Sequence, residues 1–291
     1  MKTPPTITKQ DRTTQTIKLD DGRTLAFAEY GTADGIPILY FTGGNSSRLE
    51  GVWFDAVATA HNVRLISTDR PGYGLSDFQT NRTLLDWPSD VAQLADALNI
   101  AQFAVFGLSA GGPHVAAVAY KMPERLTATT IVSGASPYGV FKGMWPPIRL
   151  MYFLARRTPL WFNTRVQQLM NDPDNVIKNK DRLAPPDTAL LTNRPEIGAL
   201  FRTSQIESMR QGTKGAAQEI HLFTQPWGFD LADITLPISL WYGEHDVNTP
   251  PAMGHYMHNL LPNSTLKIIP NQAHFSLINN HIDDILAGLL S

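Results

Sequence analysis

Ser109 lies in a Gly-x-Ser-x-Gly motif (residues 107–111), a spacing that can present a serine hydroxyl as a nucleophile. An apolar run typical of a buried strand (residues 103–108) precedes the motif, and a helix-forming run follows it. The two glycines suit a strained turn whose arms approach closely. We therefore predict that Ser109 is a catalytic nucleophile. The alternative is a Gly-rich turn in which the serine only caps the helix.

A serine hydroxyl needs a base, and the base needs a carboxylate that fixes its tautomer. In a parallel α/β sheet such residues lie on loops that follow the carboxyl ends of strands. Among the eight histidines, His274 fits best, because it follows the last predicted strand and precedes the last predicted helix. His245 follows a strand but adjoins Asp246 in the same loop, and the others lie in or beside predicted helices.

The acid is expected in the loop Gly243-Glu244-His245-Asp246, where either carboxylate fits by position. We prefer Asp246, because the turn at Gly243 would project it beyond the sheet, whereas Glu244 suits a solvated turn. Asp69 also follows a strand, and we expect it to pin its own loop together with Arg70. The order Ser109, Asp246, His274 is a known chain order for a triad built on this turn.

Attack on a carbonyl creates a tetrahedral oxyanion, which needs two preorganised N–H donors. The backbone N–H of Ala110, at the start of the helix, is the first candidate. The loop Thr42-Gly43-Gly44-Asn45 after the third strand supplies the second, and we prefer the N–H of Gly44 to that of Asn45. A plain strand-to-helix turn is the alternative for this loop.

Strand-like and helical runs alternate along the chain, which predicts an α/β fold with a mostly parallel sheet and helices on both faces. After Ser136 only helical patterns and loops follow, and the strand rhythm returns at Pro237. We predict a catalytic domain formed by residues 1–136 and 227–291. Residues 137–226 would form an inserted helical lid, here called the cap segment.

The composition is that of an ordinary globular protein, with 291 residues of which 43% are hydrophobic and 17% charged. A net charge of −2 gives no reason to expect a nucleic acid or an anionic membrane as partner. The chain has no cysteine, so disulfides, zinc–thiolate sites and cysteine nucleophiles are excluded. His255 and His258 lack a third ligand at a suitable spacing, so no metal site is expected.

The first residues are polar and lack the apolar core of a signal peptide. No apolar run approaches the ~18 residues that suggest a membrane span. We therefore expect a cytoplasmic protein without a membrane span.

These residues resemble those of the α/β-hydrolase superfamily, and more narrowly a group of capped serine hydrolases. The segments that carry the resemblance are Ser47-Arg48-Leu49-Glu50, Asp69-Arg70-Pro71-Gly72-Tyr73-Gly74-Leu75-Ser76, Asp86-Trp87-Pro88, Gly111-Gly112-Pro113, Pro226-Trp227-Gly228-Phe229 and Gly243-Glu244-His245-Asp246. The resemblance implies an eight-stranded sheet, a cap inserted after the sixth strand, and a Ser109–His274–Asp246 triad without metal or organic cofactor. Most members begin the oxyanion loop with His-Gly, so Thr42 must provide different hydrogen bonds here.

Aromatic residues are dense at the start of the cap segment: Tyr138, Phe141, Trp145, Tyr152, Phe153, Trp161 and Phe162. Most could simply pack the cap segment onto the main domain. Ligand sites tend to form in such apolar clefts, so we predict Tyr138, Trp145 and Phe153, with Asn45, as substrate contacts.

The predicted function is that of a carboxylesterase-like hydrolase that cleaves a small to medium hydrophobic ester through an acyl-enzyme. Its partner would be a small-molecule ester, and a homodimer is compatible with this interpretation. A proline iminopeptidase-like aminopeptidase is one alternative, and it would need an acidic cluster from Glu196, Glu207 and Glu219. A non-enzymatic ligand-binding protein on a hydrolase scaffold is the other, and only the Thr42 loop favours it.

Overall fold

A computed structural model describes residues 7–170 and 172–291, so residues 1–6 of the predicted catalytic domain and Asn171 of the cap segment lie outside the described residues. The described chain forms a sheet in the order β1-β2-β3-β5-β4-β6-β7-β8-β9. Its strands are β1 (Ile7–Asp11), β2 (Thr14–Lys18), β3 (Thr24–Gly31), β4 (Ile36–Phe41), β5 (Val63–Thr68), β6 (Phe103–Leu108), β7 (Leu126–Val132), β8 (Ile238–Gly243) and β9 (Ser264–Ile269).

Strands β4 to β9 pair in parallel, whereas β1, β2 and β3 join the sheet through antiparallel pairs. This confirms the predicted α/β fold with a mostly parallel sheet. The strand β1 pairs with β2 at the edge and raises the eight strands expected to nine. Its sequence, Ile-Thr-Lys-Gln-Asp, carries one apolar residue and no alternation, so no pattern predicted it.

Helices cover both faces of the sheet. They are α1 (Asp55–Ala60), α2 (Trp87–Ala97), α3 (Gly111–Lys121), α4 (Pro146–Arg157), α5 (Leu160–Met170), α6 (Asn175–Lys178), α7 (Pro185–Asn193), α8 (Pro195–Ser208), α9 (Lys214–Phe223), α10 (Pro251–Leu260) and α11 (His274–Leu289). Prolines occupy the first helical positions of α4, α7, α8 and α10, where a missing N–H costs nothing.

The central strands are apolar throughout because both of their faces are buried. Along β4, Leu39 and Phe41 pack with α2, α3 and α10, whereas Ile38 and Tyr40 pack with α1 and α11. This alternation follows from the two-residue period of a strand. Helices α4 to α9 all lie between β7 and β8, in the stretch predicted as the cap segment. The division into two domains with the boundaries given above stays a prediction.

The loop after β4 is tied to α8 by buried polar contacts. The Ser204 hydroxyl lies 2.7 Å from the Ser46 hydroxyl and accepts a hydrogen bond from the N–H of Ser47 (2.9 Å). The guanidinium of Arg48 bridges Asp69 (2.7 Å) and Glu207 of α8 (2.8 Å). The segment around residues 46–48, part of the resemblance above, therefore fastens α8 to the carboxyl edge of the sheet.

We predict that Gly111→Ala destabilises the protein strongly, because its Cβ would overlap the backbone carbonyl of Phe41. Overpacking of this kind lowers the free energy of unfolding by about 3 kcal/mol. The matched control is Gly288→Ala, on the exposed side of α11 with no heavy atom within 4 Å of the added Cβ. It should be slightly stabilising, since alanine is the better helix former. Urea denaturation of both variants measures the difference, and equal stabilities would contradict the close approach of α3 to β4.

Candidate active site

Ser109 occupies a left-handed turn between β6 and α3, with a φ of 54°. This conformation is unfavourable for a residue with a Cβ, so the surroundings must hold it. The N–H of Ser109 donates to the Val132 carbonyl (2.9 Å), and its carbonyl accepts from Gly112 (3.0 Å) and Ala135 (3.1 Å). The turn is therefore fixed by the neighbouring strand β7 and by the first turn of α3.

His274 and Asp246 form a buried pair, with His274 Nδ1 lying 2.8 Å from Asp246 Oδ2. The other carboxylate oxygen accepts the N–H groups of Asn248 (2.8 Å) and Thr249 (3.0 Å). The Thr249 hydroxyl lies 3.1 Å from Asp246 Oδ2 and donates to the Ser133 carbonyl (2.7 Å). These contacts fix the carboxylate, and a proton shared on Nδ1 leaves Nε2 as the basic nitrogen.

The electrostatic environment of His274 suits a base. Burial by itself would lower the pKa of His274, but the Asp246 carboxylate, followed by those of Asp187 and Glu50, raises the pKa above its usual value. The imidazolium that forms when a base takes a proton is therefore stabilised where it arises.

A cavity of about 220 Å³ brings most of the predicted site residues together. It is lined by Ser109, His274, Gly44, Ala110 and Asn45. Asp246 is not part of its lining and contacts His274 from the side of Nδ1. Helices α4 and α9 contribute an apolar wall, made of Ile148, Met151, Tyr152, Ile220 and Phe223.

One backbone N–H of the loop after β4 already donates a hydrogen bond within the protein, and another part of the loop lies beside Ala110. The N–H of Gly43 donates to Glu50 Oε2 (2.9 Å), which removes it as an oxyanion donor. A Cβ added to Gly44 would lie 3.5 Å from the Ala110 Cβ, so these two segments are adjacent. Ala110 precedes the first residue of α3, where an N–H has no acceptor within the helix. This geometry favours the predicted pair of donors, Gly44 and Ala110.

Arg70 supports the loop that begins at Thr42. Its Nη1 donates to the carbonyl of Thr42 (2.6 Å), and its Nη2 donates to that of Gly43 (2.9 Å). Its Nε and Nη2 also donate to the two carboxylate oxygens of Glu219 on α9 (2.5 and 3.0 Å). The Thr42 hydroxyl accepts only a longer bond from Arg70 (3.1 Å), so Arg70 rather than Thr42 does most to hold the loop.

Glu219 stays ionised in this buried cluster. Burial would raise its pKa, but Arg70 and the other nearby cationic groups lower it to about 2. The Tyr73 hydroxyl donates to Glu219 (2.9 Å), and Arg82 Nη2 lies 3.5 Å from it. His114 lies beside the same carboxylate, and burial followed by the charge of Arg70 lowers its pKa to about 3, so it is neutral at pH 7.

The expected pairing of Asp69 with Arg70 is wrong. Asp69 pairs with Arg48 and accepts the N–H of Leu75 (3.0 Å), whereas Arg70 pairs with Glu219. Both residues are buried, and their side chains enter separate polar clusters, so adjacency in sequence did not make them partners. Asp69 still stabilises its own loop, as expected.

Three of the predicted substrate contacts lie away from the cavity. Trp145 and Phe153 are about half exposed, at 47% and 46%, and Tyr138 packs against Phe141 and Arg156. The reason is the helical period: α4 turns Ile148, Met151 and Tyr152 toward the cavity, which leaves Phe153 on the outer face. Asn45 is the one predicted substrate contact that lines the cavity.

Residues that the sequence interpretation missed support the site from behind. Thr249 holds Asp246 and Glu50 holds Gly43, while the Tyr40 hydroxyl donates to Glu50 (2.7 Å). Burial raises the pKa of Glu50, although these donors oppose the shift. Glu50 ends one of the segments that carry the family resemblance, which was a usable signal. Glu219 had no comparable signal, because nothing in its helix marks it as a partner of Arg70.

Within residues 7–170 and 172–291, no helix combines the length and the apolar character needed to cross a bilayer. The same residues contain no cluster of three or more His, Asp or Glu side chains that could hold a metal ion.

The sequence profile of the alpha/beta hydrolase fold matches residues 36–281. A non-heme chloroperoxidase of Streptomyces lividans is 27% identical over 288 residues, which is 95% of this chain and 98% of the relative. A pimeloyl-[acyl-carrier protein] methyl ester esterase of Nitrosomonas europaea is 26% identical over 77% of this chain and 83% of its own. Among solved structures, a thermophilic esterase of Thermogutta terrifontis has a TM-score of 0.68 at 21% identity, covering 99% of this chain and 98% of that one, which shows a shared fold.

We predict that Glu219→Gln destabilises the protein, because it leaves the buried Arg70 guanidinium without a counter-charge. Removing one partner of a buried pair costs about 3–5 kcal/mol. The matched control is Glu196→Gln, whose exposed pair with Arg194 should contribute too little to measure. Urea unfolding of both variants is the measurement. Equal effects would show that the Arg70–Glu219 pair does not hold α9 and the oxyanion loop together.

Proposed function

The chain belongs to the alpha/beta hydrolase fold family and is a hydrolase, and we propose that it cleaves small hydrophobic carboxylic esters. Ser109 would act as the nucleophile, His274 as the base and Asp246 as the acid that orients the base. The observation that carries this proposal is the 2.8 Å contact between His274 Nδ1 and Asp246 Oδ2, at a cavity that Ser109 also lines.

In the proposed reaction, His274 Nε2 takes the hydroxyl proton of Ser109 as Oγ attacks the ester carbonyl carbon. The N–H groups of Gly44 and Ala110 stabilise the resulting oxyanion. Collapse of this intermediate breaks the bond to the alkoxide, which leaves with the proton from His274. Water then attacks the acyl carbon while His274 accepts its proton. Collapse of this second intermediate breaks the bond to Ser109 Oγ, which takes that proton from His274 as the acid departs.

The cavity supports a small hydrophobic substrate. Its volume of about 220 Å³ is below the range common for drug-sized ligands, roughly 300–1,000 Å³. Apolar side chains from α4 and α9 line one wall, and Glu50, Tyr73 and Glu219 add polar atoms to the lining. A short acyl or alcohol chain would fill such a space.

An aminopeptidase activity finds no support in the three glutamates named for it in the cap segment. Glu219 is paired with Arg70, Glu207 with Arg48 and Arg210, and Glu196 with Arg194. An aminopeptidase must hold the substrate ammonium with carboxylates that are free to receive it. The non-enzymatic alternative does not need a reactive serine, whereas the proposal does. Labelling of Ser109 therefore distinguishes the two.

We predict that Ser109→Ala abolishes labelling by a fluorophosphonate probe and lowers the rate of p-nitrophenyl acetate hydrolysis by about 10⁴-fold or more, because triad members act as a unit. The matched control is Ser89→Ala, on the exposed side of α2, which should label and turn over as the wild type does. His274→Ala should lose a similar factor. Labelling that persists in Ser109→Ala, or a folded wild type that never labels, would refute the esterase proposal.

We predict that the wild type prefers p-nitrophenyl butyrate to the octanoate, because the cavity has a volume of only about 220 Å³. Met151→Ala should raise the octanoate-to-butyrate ratio of kcat/KM by about tenfold, since small changes in an apolar pocket have effects of this size. Phe153→Ala, on the outer face of the same helix, should leave the ratio unchanged. Equal shifts in both variants would contradict the placement of the substrate chain against α4.

A further inference from the structure

Asp187, on α7 of the cap segment, is buried against the start of α11 and is 3% exposed. Its Oδ2 accepts the backbone N–H of His274 (3.1 Å). Its Oδ1 accepts the N–H groups of Phe275 (3.0 Å) and Ser276 (2.8 Å). One carboxylate from the cap segment therefore receives the first three N–H groups of the helix that begins with the proposed base.

The first N–H groups of α11 depend on this distant carboxylate, because the local side-chain contact, the Ser276 hydroxyl, accepts only the N–H of Ala273 (2.7 Å). The residue at its N-cap is Ala273, whose side chain cannot accept a hydrogen bond. The first N–H groups of a helix lack partners within it, and together with the helix dipole they place about half a positive charge at that end. Without Asp187, His274 would have to become an imidazolium beside that positive charge.

We propose that Asp187 is a positioning residue for the base: it fixes the backbone of His274 from the cap segment and offsets the positive end of α11. This inference deepens the proposed function and rests on it for the role of His274. It assigns a part in the reaction to a residue that lies 87 positions from the base in sequence.

The charged groups that act on His274 come from three parts of the fold. Asp246 contacts the ring from the loop after β8, Asp187 reaches the backbone from α7, and Glu50 lies in the segment after β4. All three carboxylates favour the imidazolium, whereas burial opposes it. Asp187 itself faces His274 and Asp246, and burial raises its pKa while the Ser276 N–H and the charge of His274 lower it.

Asp187 also makes the base depend on the position of the cap segment. Helix α7 packs on the start of α11 through Leu190 and Leu191, which contact Phe275 in one apolar cluster. A displacement of α7 from α11 would break all three hydrogen bonds of Asp187 at once. The position of the cap segment and the basicity of His274 are thus linked by one side chain.

The test compares Asp187→Asn with Asp181→Asn, a matched loss of one carboxylate at an exposed position of the same segment. The ring signals of labelled histidines, assigned to His274 with a His274→Gln variant, report its titration by NMR without any need for turnover. We expect Asp187→Asn to lower the titration midpoint of His274 by about 0.5–1 pH unit, the size of a charge effect at a helix end. Asp181→Asn should leave the midpoint of His274 unchanged. Asp187→Glu, which keeps the carboxylate, should keep that midpoint close to the wild-type value.

The second readout is the pH profile of p-nitrophenyl ester hydrolysis, because the acid limb of kcat/KM reports the base of the free enzyme. In Asp187→Asn the acid limb should move to lower pH by the same amount, and the plateau should fall about fivefold through kcat rather than KM. If that variant does not fold, Asp187→Ser keeps one acceptor without the charge, and the same shifts are expected.

An unchanged midpoint of His274 and an unchanged acid limb, with only a lower melting temperature, would overturn the inference, because a merely structural cap moves stability alone. If the midpoint shifts as expected but no variant or wild type cleaves esters, the charge coupling stands and the esterase function fails. The two proposals are therefore separable.

Discussion

The left-handed turn at Ser109 is the constraint on which the rest of the site depends. A positive φ at a serine costs energy, so the turn exists only because β6, α3 and the neighbouring strand hold it from several sides. This close packing requires a glycine on each side of the turn. It also brings the carboxyl end of β4 against the first turn of α3. The loop after β4 consequently begins beside Ala110, where an oxyanion would form.

Buried polar contacts from the cap segment reach three different parts of this site. Glu207 meets Arg48, Glu219 meets Arg70 behind the oxyanion loop, and Asp187 meets the start of α11. Burying such charges is expensive, and apolar replacements often stabilise a protein as well or better. We interpret these contacts as a means of holding one arrangement: each selects a single position of a loop or helix that carries a proposed site residue.

The two faces of α4 likewise have roles that depend on the tertiary structure. One face of this helix narrows the cavity through Met151 and Tyr152, and the opposite face leaves Phe153 half exposed beneath Arg157. The aromatic content of the segment is thus shared between the cavity wall and the surface. The size of the cavity follows from which residues face inward, and composition alone does not report that.

The amino-acid sequence by itself determined the fold class, the turn at Ser109 and the loops that carry Asp246 and His274, because those depend on local patterns and on the rule that parallel strands end at one edge. Only the tertiary structure decided the ninth strand, the partner of Arg70, the inward face of α4 and the place of Asp187. A periodic pattern marks a face as apolar without naming what packs on it. Arg70 and Glu219 lie 149 residues apart, and no local pattern records a hydrogen bond made across that distance.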